Sequence, residues 1–178
     1  LYVDHDTSNL RYVQSHVSGS DGISITAADN ANLARLEWLL VTGANRDGVH
    51  YTNFSGLIKD LLVIHSPGLF PPGIDQGVGG RAGIRAGGNP TKAPLIVNAT
   101  LVGRDTSQAL PGDFSREFGL LFEDGLTSVR IANMAIANFR NGCYEIGENN
   151  EFGESVDLSS MALLSPAAND SNFVDGVH

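Results

Sequence analysis

Apolar residues recur along the chain in two short patterns, which follow each other in the same order five times. The shorter pattern is a polar or variable residue, a glycine, an apolar residue, any residue and usually a second apolar one. Because successive strand side chains point to opposite faces, this pattern predicts a short strand with one apolar face. Its copies are DGISIT (21–26), DGVHYT (47–52), AGIRAG (82–87), FGLLFE (118–123) and NGCYEI (141–146).

The longer pattern precedes each short one and ends in a turn residue. Its copies are LRYVQSHVSG (10–19), ARLEWLLVTG (34–43), KDLLVIHSPG (59–68), PLIVNATLVG (94–103) and VRIANMAIAN (129–138). The last position is glycine in the first four copies and Asn138 in the fifth. Glycine and asparagine adopt positive φ readily, so we expect the same left-handed turn at this place in every copy.

Two strands per unit, repeated in a fixed order, predict an all-β solenoid in which each unit is one coil. The glycines of the short pattern are separated by 26, 35, 36 and 23 residues. A β-sandwich is the alternative fold, but its strands would be joined in hairpins with no such fixed order. We therefore expect about five coils over residues 1–146.

The alternation assigns side chains to the inside or the outside of the predicted coils. The residue after each glycine of the short pattern should point inward, and the next one should point outward. The third residue after each glycine should point inward again. In the fifth copy this residue is Glu145, so we expect the regular core to end there. The inward set is Ile23, Val49, Ile84, Leu120 and Cys143, and the outward set is Ser24, His50, Arg85, Leu121 and Tyr144. Asn98 and Asn133 fall at equivalent places in the longer pattern, which predicts an amide ladder along the axis.

Charge and composition limit the classes of function. The chain has 11 basic and 20 acidic residues, and its formal charge of −9 disfavours nucleic-acid binding, which needs a basic surface. A single cysteine allows no intrachain disulfide. No apolar run is long enough to span a membrane. Residues 147–178 contain acidic residues but no lysine or arginine, so we expect an acidic capping segment and tail, with a short helix over 156–164.

Extra chain length occurs at one corner of the predicted coils, in the third and fourth units. The segments 66–80 and 103–117 are rich in proline, glycine and charge, and they are predicted to be loops. Insertions at one corner of adjacent coils lie side by side, and such rims are often the binding face of a solenoid. The candidate ligand-binding residues of this rim are His50, Arg81, Arg85, Arg104, Asp113, Arg116 and Tyr144.

The sequence contains no clear set of catalytic or metal-binding residues. Glu123 is predicted to point outward, but Gly87 and Ile146 occupy its column, so it has no carboxylate partner there. Asp21 and Asp47 share a column, where they are expected to cap the backbone. We expect no catalytic residue, no cofactor and no metal site. The asparagine-rich turns offer oxygen ligands for Ca²⁺, but no regular aspartate repeat accompanies them.

The repeat resembles the right-handed parallel β-helix (pectate-lyase-like) superfamily. It is most similar to a group of largely uncharacterised secreted or outer-surface bacterial β-helix proteins. The stretches that carry this resemblance are ANLARLEWLLVTGANRDGVHYT (31–52), NPTKAPLIVNATLVG (89–103) and FGLLFEDGLTSVRIANMAIANF (118–139). The resemblance implies an extracellular or cell-surface location. It transfers no catalytic residue, because the acid cluster and the catalytic base of the lyases do not appear in the pattern.

The expected function is therefore a non-catalytic extracellular or cell-surface scaffold that binds a polysaccharide along the rim. One alternative is a polysaccharide-active enzyme, a lyase or a hydrolase, that uses the same groove. Another is a structural subunit that assembles through its solenoid ends. The first coil would expose unpaired strand edges, so we also expect a neighbouring domain or self-association at the N-terminal end. The chain begins with Leu1, which suggests a processed protein or a piece of a longer one.

Overall fold

A computed structural model describes residues 2–3, 9–26, 34–65, 82–88, 93–103, 117–123, 129–139, 141–146, 156–157 and 161–164. Within these ranges every helix or strand element is a β-strand. The strands are β1 (Tyr2–Val3), β2 (Asn9–His16), β3 (Ile23–Thr26), β4 (Arg35–Thr42), β5 (Val49–Thr52), β6 (Leu57–Ile64), β7 (Ile84–Gly87), β8 (Leu95–Val102), β9 (Phe118–Phe122), β10 (Val129–Ala137), β11 (Gly142–Ile146), β12 (Val156–Asp157) and β13 (Met161–Leu164).

The strands form two parallel sheets that take alternate strands of the chain. The six-stranded sheet has the order β1-β3-β5-β7-β9-β11, and the seven-stranded sheet has the order β12-β10-β8-β6-β4-β2, with β13 also paired to β10. Each short strand therefore pairs with the next short strand, and each long strand with the next long one. The all-β class and the parallel repeat predicted from the sequence are confirmed.

The two sheets share one apolar core. In the seven-stranded sheet, register places Leu36 beside Ile58, Ile58 beside Ile96 and Ile96 beside Ile131, and these side chains are buried. Ile23, Val49, Ile84 and Leu120 form the corresponding column in the six-stranded sheet, and all four are fully buried. Since a one-residue slip would turn these side chains to the outside, the apolar columns determine the register.

Glycines allow the two sheets to approach each other closely at one corner. A side chain at Gly48 would meet the side chain of Val63 in the other sheet and lie 2.6 Å from the carbonyl oxygen of Gly83. The same position in the next unit is Gly83, where an added Cβ would lie 2.7 Å from the carbonyl oxygen of Gly119. Four of the five glycines that mark the short pattern therefore leave room for neighbouring strands without adopting positive φ; the fifth, Gly142, has φ 149°.

A column of positive φ runs across the seven-stranded sheet in the middle of its long strands. Register aligns one such residue from each of five neighbouring strands. Non-glycine residues rarely adopt this conformation, so its repetition is a property of the whole sheet. We call this column the left-handed ladder; it consists of Tyr12 (φ 57°), Trp38 (φ 60°), Asp60 (φ 57°), Asn98 (φ 56°) and Asn133 (φ 53°).

The structure corrects the alignment of two copies of the longer pattern. The turn residues Gly43, Gly103 and Asn138 do align as predicted, but only Gly43 (φ 65°) and Asn138 (φ 63°) adopt the expected positive φ, and Gly103 does not. The first and third copies are shifted by two and three residues. Strand register and the connecting hydrogen bonds put Val17 and His65 in the positions assigned to Gly19 and Gly68. Val17 adopts positive φ (51°) although it is not glycine. The apolar columns outweigh the local preference of the turn residue.

The helix predicted over residues 156–164 is wrong. β12 and β13 occupy parts of this range and pair in parallel with β10. The seven-stranded sheet thus continues beyond residue 146, because the edge of β10 offers unpaired backbone groups. The other residues of the predicted acidic segment 147–178 lie outside the described ranges. Among the described residues, no helix is long and apolar enough to cross a membrane.

Candidate functional site

Five ionisable side chains from four successive units meet at one corner of the six-stranded sheet. Asp21 and Asp47 precede β3 and β5 by two residues, His50 lies in β5, Arg85 in β7, and Glu123 follows β9. The pairing of β3, β5, β7 and β9 stacks these units directly on one another. We call these five residues the corner cluster.

Each aspartate of the corner cluster binds the backbone of the next unit. Asp21 Oδ1 accepts a hydrogen bond from the backbone N–H of Asp47 at 3.3 Å, and Asp47 Oδ1 accepts one from Ala82 at 2.8 Å. The capping role predicted for this pair is confirmed. In both residues the second carboxylate oxygen remains for other contacts within the cluster.

The two cations of the cluster lie between the carboxylates. His50 Nδ1 is 3.4 Å from Asp21 Oδ2, and His50 Nε2 is 3.9 Å from Glu123 Oε2. Arg85 donates to Glu123 Oε1 from Nε at 2.8 Å and also from a terminal nitrogen. The other terminal nitrogen of Arg85 is 3.7 Å from Asp47 Oδ2. The cluster is therefore a continuous network of opposite charges.

Burial gives Asp47 a higher pKa than the other two carboxylates of the corner cluster. The Asp47 side chain is 0% exposed, and this loss of hydration raises its pKa to about 6, against the opposing effect of the Ala82 hydrogen bond. Burial also raises the pKa of Asp21, but the hydrogen bond and the charge of His50 outweigh it and leave a lowered value. Two carboxylates in equivalent positions thus differ because only one of them is fully buried.

The remaining three groups stabilise one another in their charged forms. The hydrogen bonds to Asp21 and then to Glu123 raise the pKa of His50 to about 9. The contact with His50, followed by those with Arg85, lowers the pKa of Glu123 to about 2, although burial acts in the other direction. Burial lowers the pKa of Arg85, but Glu123 and the two aspartates more than compensate, so it is raised overall.

Of the seven predicted rim residues, two belong to the corner cluster and one is buried in the core. His50 and Arg85 are neighbours in register and belong to the corner cluster. Tyr144 pairs with Leu120, in the inward column, and is only 8% exposed. Its predicted outward position is wrong, because β11 is shifted by one residue: Gly142 lies beside Phe118, and the buried Cys143 falls opposite Gly119. Arg81, Arg104, Asp113 and Arg116 lie outside the described residues.

Glu123 is the member of the cluster that the sequence analysis missed. Its column does contain Gly87, as predicted, and the missing side chain at Gly87 is what makes room for the Glu123 carboxylate. The sequence pattern placed no second carboxylate in the column of Glu123, so this residue was not included in the candidate site. The signal was a cation, Arg85, two residues before Gly87 on the neighbouring strand, which the long Glu123 side chain reaches across columns.

A different set of exposed side chains lies on the outer face of the seven-stranded sheet. The rings of Tyr12 and Trp38 are stacked, with centroids 6.2 Å apart and an angle of 10°, and they are 79% and 52% exposed. Asn98 donates to Asp60 at 2.9 Å, and Asn133 donates to Asn98 at 3.2 Å. The predicted ladder between Asn98 and Asn133 is confirmed, and its neighbours are Asp60, Trp38 and Tyr12.

Comparisons with protein-family models, curated proteins and solved structures found no match for this chain.

Proposed function

We propose that the chain is a right-handed parallel β-helix in which each long strand and the following short strand are two sides of one coil. Every strand of the repeat pairs in parallel with the strand two places along the chain, and residues of both sheets belong to one core cluster. Parallel neighbours in one sheet that are joined by a crossover are right-handed in about 98% of proteins. The parallel pairing therefore favours this hand.

The proposed function of this solenoid is that of a non-catalytic extracellular or cell-surface scaffold that binds polysaccharide at the corner cluster. The observation that carries it is the convergence of partly exposed carboxylate, imidazole and guanidinium groups from four stacked units. Such groups hydrogen-bond to sugar hydroxyls, and Arg85 presents a planar set of donors. Units that stack at the strand spacing of about 4.8 Å offer these groups at regular intervals, which suits a polymer of repeated sugars.

The position of the long connections supports the same corner. Residues 66–81 lead into Ala82, whose backbone binds Asp47, and residues 104–116 lead into Glu117 before β9. Arg81, Arg104, Asp113 and Arg116 belong to these connections, and we propose them as further ligand contacts. The three arginines would add basic groups to a cluster that contains three carboxylates and two cations.

Burial favours binding over hydrolysis at this corner. A general acid has to come within hydrogen-bond reach of the bond that it protonates. Asp47 has the raised pKa that such an acid needs, but its side chain is 0% exposed and one of its oxygens binds the Ala82 backbone. The accessible carboxylates, Asp21 and Glu123, have lowered pKa values and are charged at neutral pH.

The test is to screen the 178-residue chain on a glycan array and to measure the affinity of each hit by calorimetry. We expect Arg85→Gln and Glu123→Gln to weaken binding at least tenfold. Arg35→Gln is the matched control, since Arg35 also pairs with a glutamate, Glu37, but lies in the other sheet. Equal loss in the control, or no binding to any glycan, would refute the proposal.

Two further measurements separate the alternatives. Release of reducing ends or of unsaturated sugars from a bound polysaccharide would identify a hydrolase or a lyase instead of a scaffold. Light scattering that increases with protein concentration, in the absence of glycan, would favour a subunit that assembles through its ends. The scaffold proposal expects neither signal.

A further inference from the structure

Three side chains of the corner cluster present donor atoms around one point. One carboxylate oxygen of Asp21, one of Asp47 and one imidazole nitrogen of His50 all lie within 4.8 Å of one another. They come from two adjacent units, and the pairing of β3 with β5 holds them together. Two carboxylates and an imidazole are a donor set that zinc and neighbouring transition metals accept.

An orphaned buried oxygen points to a missing ligand at the same place. Asp47 Oδ2 is inaccessible to solvent and has no hydrogen-bond partner among the described residues. Its nearest cation is Arg85 at 3.7 Å, which is beyond hydrogen-bond distance. A buried carboxylate oxygen that accepts no hydrogen bond is costly, because a distant ion pair does not replace its lost hydration. A metal ion would supply the missing interaction.

The supporting contacts orient all three donors. The other oxygen of each aspartate is held by a backbone N–H, from Asp47 in one case and from Ala82 in the other. The second nitrogen of the His50 ring faces Glu123 Oε2 at 3.9 Å. In metal sites the ligating histidine almost always directs its second nitrogen to a carboxylate or a carbonyl, which selects the tautomer and the ring orientation. The cluster places a carboxylate on this side of the His50 ring, at ion-pair distance.

We propose that Asp21, Asp47 and His50 form a binding site for a divalent metal ion of the zinc type. Asp21 and Asp47 each contribute one carboxylate oxygen, and His50 contributes Nδ1. Glu123 stays in place as the ion-pair partner of His50 Nε2 and of Arg85. The imidazole and the small number of oxygens disfavour Ca²⁺, which takes six to eight oxygen ligands. This site differs from the Ca²⁺ binding that asparagine-rich turns suggest, and it does not depend on glycan binding.

The test is calorimetric titration of the 178-residue chain with Zn²⁺ alone, and with Ca²⁺ and Mg²⁺ for comparison. We expect one Zn²⁺ site and much weaker binding of the other two ions. Asp47→Asn and His50→Gln should each weaken Zn²⁺ binding at least tenfold. Asparagine keeps an oxygen that can accept from Ala82, so this variant retains the backbone contact. His16→Gln and Asp60→Asn remove the same chemical groups from the other sheet and should bind Zn²⁺ like the unaltered chain.

A second measurement keeps the test decisive if a variant fails to fold. Titration of the unaltered chain with Co²⁺ should shift or broaden the imidazole NMR signals of His50 before those of His16 or His65. Zn²⁺ affinity that is the same in Asp47→Asn as in the unaltered chain would overturn the proposal. So would a Co²⁺ titration that leaves the His50 signals unchanged. Glycan binding without metal binding, or the reverse, would show which of the two proposals fails.

Discussion

The corner cluster and the left-handed ladder both arise from parallel strand pairing, but they bring together different kinds of side chain. In both, the parallel pairing of the strands places equivalent positions of successive units next to one another. The ladder repeats compatible chemistry: Asp60, Asn98 and Asn133 form one continuous line of hydrogen bonds. The corner cluster combines unlike groups, with carboxylates on either side of His50 and Arg85.

The difference teaches how a repeat acquires a site. Where neighbouring units carry similar residues, stacking produces a structural ladder whose polar groups hydrogen-bond to one another. Where the units carry different charges, stacking brings together groups that a single unit could not supply. Ladder members such as Tyr12 and Trp38 remain largely exposed, whereas Asp47 in the corner cluster is completely buried. Burial strengthens the interactions between the charges of the corner, and the pKa values of Asp47, His50 and Glu123 are shifted accordingly.

The largest effect should come from removing the buried carboxylate. Asp47→Ala leaves the Ala82 backbone N–H without its acceptor, so we expect a loss of about 2 kcal/mol in the free energy of unfolding. Asp60→Gly in the ladder should cost less than about 1 kcal/mol, since Asp60 is only half-buried and glycine tolerates its positive φ. Urea unfolding of both variants measures the two losses. Equal losses would mean that the buried Asp47 contributes no more to the free energy of unfolding than Asp60 does.

The next effect is a dependence of stability on pH that belongs to the corner. The pKa of His50 is about 9 in the folded chain and about 6.5 when unfolded, so the folded state binds the proton more tightly. The stabilisation is complete below pH 6.5, decreases as the pH rises toward 9 and is lost above it. Because the ring is partly exposed, we expect a loss of only about 1 kcal/mol across this window.

The control for this pH effect is His50→Gln, which should remove most of the decrease between pH 6.5 and 9. Asp47, whose pKa is raised to about 6, titrates mainly below this window and affects stability at lower pH. Chemical unfolding at several pH values compares the two chains. If the variant shows the same decrease as the unaltered chain, another group is responsible and the His50 network is weaker than its contacts indicate.

The last effect, similar in size to the pH effect, is expected in the ladder and concerns the backbone. Asn98→Ala and Asn98→Gly remove the same hydrogen bonds to Asp60 and Asn133, so their difference isolates the positive φ of 56°. Glycine adopts this conformation without strain, and we expect it to be more stable than alanine by about 1 kcal/mol. At Thr100, an exposed position of the same strand at which φ is not positive, the order should reverse. The same order at both positions would contradict the assigned strain.

The apolar columns predicted the all-β class and the repeat correctly. The prediction was less accurate where these columns are short. Ile23, Val49, Ile84 and Leu120 were placed correctly, since each follows a glycine in an alternating strand. Tyr144 was placed one residue out of register because NGCYEI fits two alignments and only pairing with β9 distinguishes them. Val17 and Gly19 were confused in the same way, since a turn glycine is a weaker constraint than a buried strand.

The amino-acid sequence by itself determined the repeat, the all-β class and the pairing of Asp21 with Asp47, because these depend on the period of apolar residues and on equivalent positions. The tertiary structure decided which charges meet. Glu123 reaches His50 and Arg85 across columns through the space left at Gly87, and Asp47 becomes fully buried while Asp21 does not. Distance and burial depend on how the units stack, and neither can be obtained from the spacing of residues along one strand.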